Sequence, residues 1–212
     1  MSTNIATVET LADLLEQLGQ IPLARVQMQP APGTATEQDL LAPIPGRDRL
    51  CELVDGVLVE KAMGYYESRL AIVLAWLLET FAQAHRLGIV LGADALTRLR
   101  PGLVRVPDLS FVSRRRLPNQ RVPRDPVADL VPDLAVEVLS AGNTPREMER
   151  KLREYFTSGV QMVWYVYPES KTVRVYNTPE QYTVVQAHER LEGGTILPGF
   201  AVVVQDWFAQ AE

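Results

Sequence analysis

Two acidic residues set in apolar strands, and a lysine one helix later, carry the clearest chemical signal in this chain. Asp108 lies in LVRVPDLSFV, Glu137 in VPDLAVEVLS and Lys151 in NTPREMERKLREYF. A carboxylate in the middle of a buried strand loses its hydration, at a cost of roughly several kcal/mol unless a cation or hydrogen-bond donors compensate. Two such carboxylates with a main-chain carbonyl, for which Val138 is positioned, suit Mg2+ or Mn2+, which take oxygen ligands and retain water. An ion there lowers the pKa of a bound water and offsets charge on a scissile phosphate. A lysine orients or deprotonates that water, or neutralises the phosphorus oxygens. The set favours phosphodiester hydrolysis.

The elements that position these groups follow from period and punctuation. Leu134–Leu139 is a short, nearly continuous apolar run, the pattern of a central strand covered on both faces. Alternation puts Glu137 on one face with Ala135 and Leu139, and Val136 and Val138 on the other. Pro107 marks a strand edge at which Asp108 could meet water. Thr144, Pro145 and Glu147 supply an N-cap, a first-turn proline and a capping-box glutamate, starting a helix that Gly159 stops. Its buried stripe is Met148, Leu152, Tyr155 and Phe156. Lys151 lies roughly 60° from Met148 on the flank of that stripe, while Arg150 and Glu154 point away. The helix start, at 143–147, offers amides that could hold a phosphate. Each residue also has a plainer reading: Glu137 paired with Arg105 or Arg153, Asp108 at a solvated edge, Lys151 with its stem on the core and its ammonium in water.

The chain around this set has 212 residues and a net charge of -5, with 47% hydrophobic and 22% charged residues. That is enough to build a core, and no global charge attracts a polyanion, so nucleic-acid binding would need a local basic patch or a metal. Arg114, Arg115, Arg116, Arg121 and Arg124 form the one concentrated basic stretch, in a Pro-containing loop. A single cysteine, Cys51, excludes an intramolecular disulfide and fits a reducing cytoplasm. The N-terminus lacks the pattern of a signal peptide, and no apolar run approaches the roughly 20 residues of a membrane span.

Residues 1–47 read as a short helix, started by Thr10 and Asp13 and stopped by Gly19, followed by a Pro-rich linker. The helix docks on the main domain or on a partner. Residues 48–212 form the main domain. It opens with a hairpin, Leu50–Val54 and Val57–Lys61, around Asp55-Gly56. A long buried helix from Tyr65 to about Leu87 follows, stopped by Gly88. Strands are expected at 89–93, 95–100, 104–112, 160–167, 172–176, 182–186 and 201–204, with a helical turn at 206–211. The fold class is α/β (α+β): a mixed β-sheet flanked by helices, with an N-terminal helical extension.

PD at 107–108, PDLAVEVLS at 132–140, KLREYFTSGV at 151–160, the following VWYVYP and the hairpin ELVDGVLVE at 52–60 resemble the Uma-type family of endonucleases. That family belongs to the restriction-endonuclease-like PD-(D/E)XK superfamily, and the resemblance covers residues 48–204. It implies a metal-dependent nuclease core with Asp108 and Glu137 as ligands of Mg2+ or Mn2+, acting on nucleic acid, with DNA the expected substrate, as a homodimer. The superfamily's lysine falls at Leu139, which cannot do that work. Lys151 matches the family's alternative position on the following helix. Where many members carry a histidine, the chain reads GYYESRL, and Glu67 on that helix is the expected third metal ligand. An alternative keeps the fold without turnover: a catalytically inactive nucleic-acid-binding or regulatory module.

Overall fold

The computed structural model describes residues 9–42, 50–62 and 64–212. The boundary expected between residues 47 and 48 lies outside them. The chain folds around a six-stranded mixed sheet and a smaller four-stranded sheet. Helices α1 (Leu11–Gln17) and α2 (Glu37–Leu41) precede the hairpin β1 (Cys51–Val54) and β2 (Val57–Glu60). Then come α3 (Tyr65–Ala84), β3 (Gly88–Leu91), β4 (Thr97–Arg100), β5 (Leu103–Arg105) and β6 (Leu109–Ser113). The second half contains β7 (Leu134–Val138), α4 (Pro145–Thr157), β8 (Met162–Tyr167), β9 (Thr172–Tyr176), β10 (Tyr182–Val185), β11 (Arg190–Glu192), β12 (Ala201–Val203) and α5 (Val204–Ala211).

The large sheet has the order β10-β9-β8-β7-β6-β3, and the small one β2-β1-β5-β4. Only β7 and β8, joined through α4, run parallel in the large sheet. Both faces of that sheet are covered, which is why β7 reads as an almost unbroken apolar run. Leu134, Val136, Val138 and Trp164 pack against α3 and α5 through Leu70, Leu74, Leu78, Trp207 and Phe208. Ala135, Val163 and Tyr165 pack on the other side against α4, α1 and the small sheet.

Three differences from the expected elements matter. The strand expected over 104–112 is two strands in two sheets, because Pro107 has no N–H to continue a ladder. The chain crosses between sheets at Val106–Asp108. Helix α3 ends at Ala84, with Arg86 at φ 54°, rather than at Gly88. Gly88 instead lies in β3, where a Cβ would sit 2.1 Å from the Val112 carbonyl oxygen.

The third concerns residues 20–42, expected as an extended linker. They contain a 3-10 turn (Leu23–Arg25), helix α2 and a bridge between Val26 and Val59. Leu14, Leu18, Ile21 and Val26 share a core with Val57, Met148 and Leu152. Gly19, at φ 85°, packs so closely on the start of α4 that a Cβ would lie 2.5 Å from the Glu147 amide nitrogen.

Candidate active site

The register between β6 and β7 pairs Leu109 with Val136 and Ser110 with Ala135. Continued by one residue it sets Asp108 opposite Glu137, and by another it sets Pro107 opposite Val138. The chain leaves the sheet there, and Asp108 Oδ2 accepts the Val138 amide at 2.6 Å. Pro107 itself offers no amide to the Val138 carbonyl, because proline carries none. The PD dipeptide therefore does two things: it places a carboxylate at the sheet rim and withholds one amide from the edge of β7.

Glu137 faces α4, as its alternation implied. Its Oε1 accepts from Lys151 Nζ at 3.1 Å and from the Tyr155 hydroxyl at 2.5 Å. Burial pushes the Glu137 carboxyl up; Lys151 and Lys61 oppose that shift, while Asp108 and Glu52 add to it, and the net direction is upward. The partner of Glu137 is thus a lysine rather than Arg105 or Arg153.

Lys151 is enclosed. Its side chain is 2% exposed and bridges Glu137 and Glu52, the latter at 3.2 Å. Burial would lower its pKa, but those two carboxylates outweigh it and hold the group as an ammonium. Glu52 feels burial most, yet Lys151, Arg105 and Lys61 hold its carboxyl well below the usual range. Arg105 joins Glu52 at 2.7 Å and Glu154 at 2.5 Å. Glu154 does not point away, as the helical wheel implied: α1 and the small sheet cover that flank of α4, and its carboxylate serves Arg105 and Arg150.

Sequence reasoning missed Lys61. Its ammonium lies 2.9 Å from Asp108 Oδ1 and donates to the Val106 carbonyl. The signal was present: Val57, Val59 and Lys61 share one face of β2 and its continuation, and both valines are core residues.

Glu67 lies near the start of α3. Its carboxylate folds back over Gly64, where a Cβ would lie 1.8 Å from Oε2. It lines two cavities beside the sheet rim, one of about 140 Å³ with Asp108 and Val138, the other of about 310 Å³ with Lys61 and Ser140. Among the described residues no three His, Cys, Asp or Glu side chains cluster as a metal-binding group.

Two other expectations change. The start of α4 is no free phosphate site: the Glu147 carboxylate and Gly19 occupy it, with Arg25 forked onto Glu147 at 2.7 and 2.9 Å. The basic loop begins at the far end of β6 from Asp108, where Arg115 and Arg116 pair with the fully buried Asp133. Asp133, in the second PD dipeptide, also accepts the Ser113 amide at 2.7 Å and is structural.

A mixed six-stranded sheet with helices on both faces, carrying Asp108 and Glu137 at the rim where β6 and β7 meet, is a restriction-endonuclease-like fold. It matches the crystal structure of a putative nuclease belonging to DUF820 from Anabaena variabilis, with a TM-score of 0.70 and 18% sequence identity, over 84% of this chain and 99% of that chain. Among curated proteins none matches the chain. Residues 37–205 match the Uma2 family, described as "Putative restriction endonuclease", and the chain belongs to that family. Among the described residues no helix is long and apolar enough to cross a membrane.

Proposed function

We propose that this protein hydrolyses phosphodiester bonds in nucleic acid, with DNA as the substrate and Mg2+ or Mn2+ as cofactor. The observation that carries the reading is the Asp108 carboxylate seated on the Val138 amide, next to Glu137, where β6 and β7 part at Pro107. The donor set fits an oxygen-seeking cation: the Asp108 carboxylate, Glu137 Oε2 and the Val138 carbonyl would hold it, with water completing the shell. Glu67, which lines a cavity with Asp108 and Val138, would be an outer neighbour. When bound, the ion supplies a water of lowered pKa and neutralises developing phosphate charge. Lys151 and the Tyr155 hydroxyl hold the Glu137 carboxylate in place.

A second reading has its own observation. Both oxygens of Asp108 and one of Glu137 already have partners within the protein. This supports a nucleic-acid-binding or regulatory module that has kept the fold without turnover. Incubation of DNA and RNA with the purified protein in Mg2+ separates the two readings. Cleavage that disappears in Glu137→Gln, with the circular dichroism unchanged, supports the nuclease. Cleavage that survives in that variant sinks the assignment, and Mn2+ binding without cleavage of either nucleic acid favours the module.

A further inference from the structure

Lys61 and Lys151 are two buried ammonium groups in one acidic neighbourhood, and their surroundings give them different roles. Lys151 Nζ lies between two buried carboxylates, Glu137 and Glu52, and lines neither cavity at the sheet rim. Withdrawing it would leave Glu137 with no ion-pair partner among the described residues, while Glu52 would keep Arg105. Lys61 lines the cavity of about 310 Å³ with Glu67 and Ser140. Among the described residues the carboxylate within ion-pair distance of Lys61 is Asp108, which lines the neighbouring cavity, and Ala62, Gly64 and Glu67 border both spaces.

The bonds on each side also make Lys61 the lysine that can let go. If it withdraws, Asp108 keeps its hydrogen bond from the Val138 amide through Oδ2. Lys61 is a flexible four-carbon stem with a compact charge, suited to swinging between neighbouring oxyanions. An ammonium and a divalent ion at the same carboxylate repel each other, so the two compete for Asp108.

We infer that Lys61, and not Lys151, is the substrate-facing cation of this site: without a divalent ion it neutralises Asp108, and in the ion-loaded protein its ammonium serves a phosphate oxygen. The inference rests on the phosphodiester reading above. Lys151 is a positioning residue that fixes the Glu137 carboxylate.

Calorimetry on the full chain tests this. Lys61→Met is expected to bind Mn2+ on the order of tenfold more tightly than wild type, and a DNA oligonucleotide in Ca2+ on the order of tenfold more weakly. Lys61→Gln, whose amide can still donate to the Val106 carbonyl, serves if the methionine variant does not fold. In the wild type, the 15N signal of the Lys61 ammonium is expected to shift on adding Mg2+ while that of Lys151 stays in place. Unchanged or weaker Mn2+ affinity in the folded Lys61 variants, or movement of the Lys151 signal in its stead, overturns the inference but leaves the metal site standing. Absence of Mn2+ binding by the wild type overturns the metal reading itself, and this inference with it.

Discussion

Asp108 and Val138 are joined by a hydrogen bond of 2.6 Å that replaces a rung of the sheet where the chain departs at Pro107. The carboxylate thus has a structural duty on Oδ2 and an ionic one on Oδ1, and substitutions can separate them. Asp108→Asn keeps an acceptor for the amide and removes the charge. Asp108→Ala removes both and should be the less stable of the two by about 1–3 kcal/mol, the cost of an unsatisfied buried amide. Both variants should lose Mn2+ affinity. Urea unfolding and calorimetry on the pair measure the two effects.

Lys151 holds two buried carboxylates, so its removal leaves uncompensated charge. Lys151→Met is expected to destabilise the fold by about 3–5 kcal/mol in urea unfolding. Adding Glu52→Gln should recover part of that loss, because the double variant leaves fewer buried charges unpaired. A loss in the double variant equal to the sum of the single losses would show that the two residues do not act as a unit.

Arg25 lies outside the stretch that matches the family, yet it clamps the candidate site. Its guanidinium donates to Glu147, to the Gly142 carbonyl at 2.9 Å and to the Glu60 carbonyl at 2.8 Å. It therefore ties the end of β2 to the loop before α4. Arg25→Ala should cost about 3–5 kcal/mol, as breaking a buried pair does. Amide hydrogen exchange at 140–147 should accelerate with it, and unchanged protection there would refute the clamp.

Acid sensitivity should follow Glu52 and Glu147. Burial pushes both carboxyls up, but Lys151 and Arg105 at Glu52, and Arg25 at Glu147, outweigh it and hold both below their ordinary value of 4.5. A depressed carboxyl contributes stability that is complete above the unfolded value and is lost as pH falls below it. The urea midpoint should therefore decline as pH drops below about 4.5. Glu52→Gln should be less stable at pH 7 and flatter in acid. Glu137, whose pKa is raised, has the opposite sign: its contribution grows as pH falls toward 4.5, and Glu137→Gln should remove that gain above 4.5.

Much of the framework was legible because it rests on local rules. The capping box at Thr144 and Glu147 starts α4, and a matching pair at Thr10 and Asp13 starts α1. Alternation along 134–138 put Glu137 on the correct face. Local rules also left gaps. Capping by Thr36 and Asp39 forms α2 inside the stretch that its prolines marked as linker. The single apolar pattern from Val104 to Val112 concealed a change of sheet, since a two-residue period does not say which sheet a strand joins.

The sequence by itself determined which residues would be costly to bury and which faces they occupy: Asp108, Glu137 and Lys151 stand out because period and residue type are local properties. Only the tertiary structure decided their partners. Whether Lys151 or Lys61 reaches Asp108 depends on how the β1–β2 hairpin folds over the β6–β7 rim, and that is set by long-range packing. The seating of Asp108 on the Val138 amide, beside Glu137, likewise follows from a register between strands some 30 residues apart in sequence. Charge balance in a buried cluster is a sum over segments distant in the chain, and only the folded molecule performs it.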